Sequence, residues 1–189
     1  MTQGSTVSAE TGNGWITRVP PEHATGPLAE AYQSQFEKIG RVTELTQIGS
    51  LYPDLVAARL RLYAVVDATP SDVPDHVRRA VALLTSVLNG CLFCTVGHTE
   101  KLTAAGHGEL AQAIKVDPEG VVTGEAKADA AISYARKLVT DPRHIVEEDV
   151  TALRDAGFTD LDILDINNIA AYYCYINRVA AGLGLQREA

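Results

Sequence analysis

Aromatic residues are scarce in this chain, at 6% of 189 residues, with a single tryptophan. That leaves too few π-faces for a platform that stacks single-stranded nucleic acid. Basic residues are outnumbered, 16 Lys and Arg against 24 Asp and Glu, for a formal charge of −8. Without a cationic excess, no counterion release drives binding to a phosphate backbone. Cysteine is limited to three residues, too few and too unevenly placed for a disulfide scaffold. No apolar run approaches the roughly 20 residues of a membrane span. Residues 1–14 are polar and rich in Ser, Thr and Gly, and lack the basic start and apolar centre of a secretory signal. The expectation is a cytoplasmic protein with a flexible tail over residues 1–14 and no nucleic-acid or membrane partner.

What is present is helical. Hydrophobic residues at 46% and charged residues at 21% match a globular chain, and the length suits one domain over residues 15–189. No run alternates with period 2 between turn residues, so no strand is expected. Helical spacing recurs instead. One helix follows Thr25-Gly26-Pro27, aligns Leu28, Ala31, Tyr32, Phe36 and Ile39, and closes at Gly40. A second starts near Pro53 with Leu55, Ala58, Leu62 and Val65 or Val66 as its stripe. A third aligns Val77, Val81, Leu84 and Leu88 and stops at Asn89-Gly90. Further helices are expected over 91–105, 109–115, 125–139, 147–156 and 159–181. Thr159 and Asp162 form a capping-box-like start for the last, and its Ile166, Ile169, Tyr173 and Ile176 form a stripe for the core or a subunit contact. The loop over 117–124, with Pro118, Gly120 and Gly124, is the one internal boundary the pattern offers.

The chemistry concentrates in Cys91-Leu92-Phe93-Cys94-Thr95-Val96-Gly97-His98. Two cysteines three apart at a helix start share nearly one face, within reach of a disulfide. The helix N-terminus favours thiolate over thiol. His98 follows Cys94 by one turn on the same face, where an imidazole can accept the thiol proton. Three readings fit this spacing: redox chemistry at the dithiol, a zinc site with Cys91, Cys94 and His98 as three ligands, or core packing. No second CxxC or HxxxH supplies a fourth ligand, and nothing in the spacing singles out His107 or Cys174 for it. Cys174 otherwise reads as a buried core thiol. His23, His76, His107 and His144 read as surface or structural residues, and Tyr172, Tyr173 and Tyr175 as a packing or subunit surface. Trp15 is placed to anchor the tail.

The run Arg78 to His98, with Ser86, Asn89-Gly90, the Cys91/Cys94 pair and His98, resembles the AhpD-like alkylhydroperoxidase branch of the carboxymuconolactone decarboxylase family. Val19-Pro20, Ala24-Thr25-Gly26, Ser50-Leu51 with Pro53, Gly157-Phe158-Thr159-Asp160 and Asn177-Arg178-Val179-Ala180 resemble its peroxidase-related subgroup. The resemblance implies an all-α, AhpD-like helical domain that forms a homo-oligomer. It implies a peroxidase cycle on a hydroperoxide substrate, with Cys94 the peroxidatic thiol, Cys91 the resolving thiol and His98 part of a proton relay. The resulting disulfide would be reduced by an external dithiol, a lipoyl group or a thioredoxin-like protein. No cofactor or metal beyond the dithiol is implied. The family's relay usually has a glutamate twelve residues before the first cysteine, where this chain has Arg79. A cation there stabilises a thiolate but discourages a protonated His98, so proton shuttling is expected to weaken more than thiolate formation. Two alternatives stand beside the peroxidase: His98-based acid–base chemistry on a small lactone-like substrate, and a non-catalytic, redox-responsive protein.

Overall fold

The computed structural model describes residues 13–68 and 70–186. Of the tail expected over 1–14, all but Asn13 and Gly14 lies outside the described residues. Nine α-helices form among the described residues: α1 Gly26–Ile39, α2 Glu44–Gln47, α3 Pro53–Asp67, α4 Asp75–Leu88, α5 Leu92–Ala104, α6 Gly108–Val116, α7 Ala126–Thr140, α8 Glu147–Asp155 and α9 Asp160–Gly182. No extended strand occurs among the described residues, so the all-α expectation holds. The four-residue α2, capped by the Thr43 side chain accepting from the Thr46 N–H, is too short to leave a periodic signal.

The chain divides into two compact units. One spans 13–67 and takes up Gly182–Gln186; the other is Ala68–Ala181. The loop over 117–124 therefore lies inside the second unit, and the boundary falls at 67/68.

In the first unit α1 buries Leu28, Ala31 and Tyr32 and ends on Gly40, whose φ of 72° is left-handed. The last two members of its expected stripe, Phe36 and Ile39, are about half exposed. α3 departs further from expectation. Leu55, Ala58, Leu62 and Val65 face outward, and the helix buries Val56 and Arg59 instead. The reason is local. Gly49 lets α3 come close, because a Cβ there would stand 3.0 Å from Val56 Cγ2. Arg59 then donates to the Leu45 carbonyl at 2.5 Å, which gives a buried guanidinium the acceptor it requires. Trp15 donates its backbone N–H to the Leu183 carbonyl at 2.9 Å. Its indole covers Gly184, a position where any Cβ would collide with the ring.

The second unit is built on α4. Ala80 to Ser86 are all buried, and a helix apolar on nearly every side belongs at the centre of a bundle. It packs against α5, α6 and α7, and α7 against α8. α9 attaches to α4 through polar groups at both ends. At one end Asn177, 1% exposed, donates to the Thr85 carbonyl at 3.2 Å, and its Oδ1 lies 3.2 Å from the Ser86 hydroxyl. At the other, Asp162 caps its own helix by accepting from the Thr159 N–H and hydroxyl at 2.9 and 2.8 Å, as the capping-box spacing predicts. It also accepts the Asp72 N–H at 2.8 Å. Asp165 takes Arg78 as an ion pair and the Ser71 hydroxyl at 2.5 Å. Ile166, Ile169 and Ile176 of the expected stripe are buried.

Candidate active site: a dithiol at a helix start

Asn89 ends α4, and Gly90, with φ of 68°, turns the chain through a conformation that glycine adopts without strain. Cys91 then becomes the N-cap of α5. Its sulfur stands where a Ser or Asp oxygen usually sits and accepts the Cys94 N–H at 3.4 Å. The Cys94 sulfur lies 2.7 Å from that of Cys91. Both thiols are free and buried. His98 is buried on the next turn, so the three site residues expected from the sequence share one place. No group of three or more His, Cys, Asp or Glu among the described residues is arranged to hold a metal ion.

The electrostatics separate the two sulfurs. The Cys91 thiol is lowered to about 7, first by its hydrogen bond with Cys94, against a smaller desolvation, and further by the Cys94 backbone N–H. The Cys94 thiol is pushed up by that same hydrogen bond, by burial and by the neighbouring negative charge. One proton is therefore held between two sulfurs, and the resting charge sits on Cys91, the one capped by a backbone donor. The pair titrates as a unit.

Burial depresses His98 to about 3, with Lys101 and then Arg79 adding to the effect. The Arg79 influence anticipated from the sequence is present, but burial outweighs it. Arg79 itself pairs with Asp75 at 2.6 Å. A buried neutral histidine makes the fold acid-sensitive. Between pH 6.5 and 3 the unfolded chain binds a proton that the folded one refuses, so stability falls as pH drops below about 6.5. The expected loss is about 1.4 kcal/mol per pH unit, or about 2 kcal/mol by pH 5. Urea midpoints of wild type and His98→Gln at pH 7 and pH 5 test this. The wild type should lose more than the variant.

Sequence reasoning missed Tyr173. Its ring meets His98 edge to face, with centroids 4.4 Å apart and planes at 82°, and Tyr172 packs on Tyr173 at 5.2 Å. Two of the three tyrosines thus pack toward His98, Tyr173 directly and Tyr172 behind it, while Tyr175 is exposed. Cys174 is only partly buried. Asn89 donates to its sulfur at 3.5 Å and accepts from Arg178 at 3.1 Å, which ties α9 to the turn before Cys91. His76 pairs with Glu125 at 2.9 Å and stacks on His107, and His144 contacts Asp141 at 2.5 Å. These histidines stand apart from the dithiol in their contacts.

Comparison with known proteins fits this arrangement. Residues 53–137 match the model of the carboxymuconolactone decarboxylase family. No curated protein matches the chain by sequence. Among solved structures, a peroxidase-related protein from Silicibacter sp. TM1040 is similar at 22% identity, over 95% of this chain and 94% of that one, with a TM-score of 0.79. An AhpD-core, peroxidase-related protein from Ralstonia eutropha JMP134 is similar at 22% identity, over 95% and 94%, with a TM-score of 0.82. The debrominase Bmp8 is similar at 21% identity, over 99% and 95%, with a TM-score of 0.75. A cysteine-to-alanine form of that debrominase has been solved with 2,3,4-tribromopyrrole. At these identities the structures establish a shared fold. Residues 53–137 thus resemble the carboxymuconolactone decarboxylase family, and the all-α fold of the chain is that of AhpD-like, peroxidase-related proteins.

Proposed function

We propose that the chain is a dithiol–disulfide oxidoreductase that reduces hydroperoxides. The observation that carries the reading is the buried Cys91–Cys94 pair, with sulfurs 2.7 Å apart at a helix start. Two thiols so placed can exchange a proton and then form a bond with little backbone movement.

The cycle balances within this pair. The Cys94 proton crosses to Cys91, and the Cys94 thiolate attacks the terminal peroxide oxygen. The O–O bond breaks, Cys94 becomes a sulfenic acid, and the departing alkoxide takes the proton now on Cys91 to leave as alcohol. The Cys91 thiolate then attacks the Cys94 sulfur. The S–O bond breaks, hydroxide leaves and is protonated to water, and the disulfide forms. Two electrons pass from the sulfurs to the peroxide, and an external dithiol, lipoyl or thioredoxin-like, returns them. His98 at about 3 stores no proton at neutral pH. It acts as a neutral wall beside Cys94, and Cys91 takes over the proton-carrying part of the relay. The same weak basicity counts against the alternative in which His98 abstracts a proton from a lactone-like substrate.

The test is a thiol titre of reduced protein before and after one equivalent of cumene hydroperoxide. Loss of two thiols per chain, faster than for free cysteine, with a Cys91–Cys94 disulfide in the peptide map, is the expected result. Its rate should rise with pH through about 7, following ionisation of the pair. Reaction no faster than free cysteine overturns the peroxidase reading.

A further inference from the structure

We propose that Asn177 and Arg178 are positioning residues of the dithiol: acting through the last turn of α4, they fix the backbone of Cys91 so that its sulfur stays over the first turn of α5. The inference deepens the reading of Cys91 and Cys94 as the reactive centre, and it rests on that reading. The hydrogen bonds of Asn177 and Arg178 go to Thr85, Ser86, Asn89 and Cys174, and not to the dithiol itself. Their leverage comes from the turn they grip.

That turn hangs on three backbone bonds. The Asn89 N–H donates to the Thr85 carbonyl at 3.0 Å, the Gly90 N–H to Val87 at 2.9 Å and the Cys91 N–H to Ser86 at 3.0 Å. α9 brings Cys174, Asn177 and Arg178 to the turn from one face, at helical spacings of three and four. Asn177 Nδ2 donates to the Thr85 carbonyl at 3.2 Å, the same carbonyl that takes the Asn89 N–H, and its Oδ1 lies 3.2 Å from the Ser86 hydroxyl. The Asn89 amide is held at both ends. Its Nδ2 donates to the Cys174 sulfur at 3.5 Å, and its Oδ1 accepts from Arg178 at 3.1 Å. Arg178 is braced in turn, because the same nitrogen donates to the Cys174 carbonyl at 3.0 Å. Tyr173, the residue before this face, meets His98, so one stretch of α9 reaches both the turn before Cys91 and the histidine after Cys94.

Hydrogen-bond satisfaction does not account for Asn177. Without it the Thr85 carbonyl keeps the Asn89 N–H, and the Ser86 hydroxyl keeps the Ala82 carbonyl at 2.9 Å. An apolar side chain there would orphan neither group, and would suit a helix that also buries Ile169, Ile176 and Ala180. Burying an amide at 1% exposure costs desolvation instead. What the amide adds is direction, since a hydrogen bond fixes a distance and an angle that apolar packing leaves loose. Direction matters at Cys91. Its sulfur caps α5 with the backbone at φ −86° and ψ 91°, and a displacement of about 1 Å at a reacting group costs on the order of a hundredfold in rate.

The experiment is residue-resolved iodoacetamide labelling of the reduced full chain between about pH 5 and pH 9, which reads the ionisation midpoint of Cys91 from its own peptide. Two variants that exchange neutral for neutral test the clamp without altering charge. Asn177→Leu removes one grip, and Asn89→Ala removes the handle that Arg178 holds. In each, the Cys91 midpoint, at about 7 in wild type, should rise by about one unit, which at pH 7 is about fivefold slower labelling. Ile166→Ala, in the same helix about three turns away, is the structural control. It should lower the urea midpoint and leave the Cys91 profile in place. Asn89 is only half-buried, so Asn89→Ala carries the test if Asn177→Leu does not fold. A wild-type Cys91 profile in either folded variant, or an equal shift in Ile166→Ala, would overturn the proposal. No peroxide enters the measurement, so a failed clamp leaves the peroxidase reading standing, and a failed peroxide assay leaves the clamp standing.

Discussion

Cys94→Ser is expected to cut hydroperoxide turnover at least about a thousandfold, as loss of a nucleophile generally does, while Cys91→Ser stops the cycle one step later. The two variants should not fail alike. Without Cys91 the Cys94 sulfur loses both the hydrogen bond and the neighbouring charge that push its thiol up, so it should ionise more readily and still attack peroxide once. With no partner to resolve it, a sulfenic acid accumulates, detectable by dimedone labelling and mass spectrometry. Without Cys94, the Cys91 sulfur keeps its helix-start position but loses the thiol donor that is the largest cause of its lowered pKa. It should alkylate more slowly at neutral pH than in wild type. The Cys91→Ser/Cys94→Ser double variant should retain no turnover. A sulfenic acid trapped in Cys94→Ser and absent in Cys91→Ser would move the attacking role to Cys91. Turnover that survives the double change would remove the dithiol from the chemistry.

The second large effect concerns stability. Asp165 is 3% exposed and pairs with Arg78, whose side chain is 15% exposed. Asp165→Ala leaves a largely buried guanidinium without its carboxylate and should cost about 3 kcal/mol in urea unfolding, at the lower end for a broken buried pair. The joint change Arg78→Met/Asp165→Leu should recover most of that loss, since an apolar pair of similar volume avoids the desolvation of both ions. The pH dependence has a definite sign. Burial raises the Asp165 carboxyl, against the Ser71 and Arg78 hydrogen bonds. Its titration therefore favours the fold below the ordinary carboxylate range, and that contribution is lost as pH rises through the elevated value. Asp162 runs the other way. Burial works to raise it too, but donors from Thr159 and Asp72 outweigh burial and hold it low, so its contribution is lost on acidification.

Helix ends were legible because their signals are local. Gly40, Gly90, Gly106 and Gly157 all adopt positive φ just beyond helices, and Thr159 with Asp162 makes the reciprocal cap that their spacing encodes. The placement of Cys91, Cys94 and His98 at one helix start was legible for the same reason, since eight consecutive positions carry them. The face of α3 was not. Periodicity reports that a stripe is apolar, not what covers it, and the burial of Arg59 depends on the Leu45 carbonyl fourteen residues away. The contact of Tyr173 with His98 joins α9 to α5, and no spacing within either helix encodes it. The depression of His98 anticipated from Arg79 was right in sign. Its main cause is the packing around the ring, which a sequence does not display.

Cys91 serves two purposes at once: its sulfur is half of the dithiol and also the cap on the first turn of α5. A thiolate is a strong acceptor for the Cys94 N–H, and a disulfide sulfur is a weak one. Oxidation therefore withdraws the cap, at a cost of about 1 kcal/mol. The penalty falls on the oxidised form alone, so it raises the reduction potential by about 20 mV and makes the disulfide easier for an incoming dithiol to reopen. The first amides of α5 should accordingly exchange with solvent faster in the oxidised protein than in the reduced one. In the proposed cycle the helix start would act as a small spring, loaded by the peroxide step and released by the reductant.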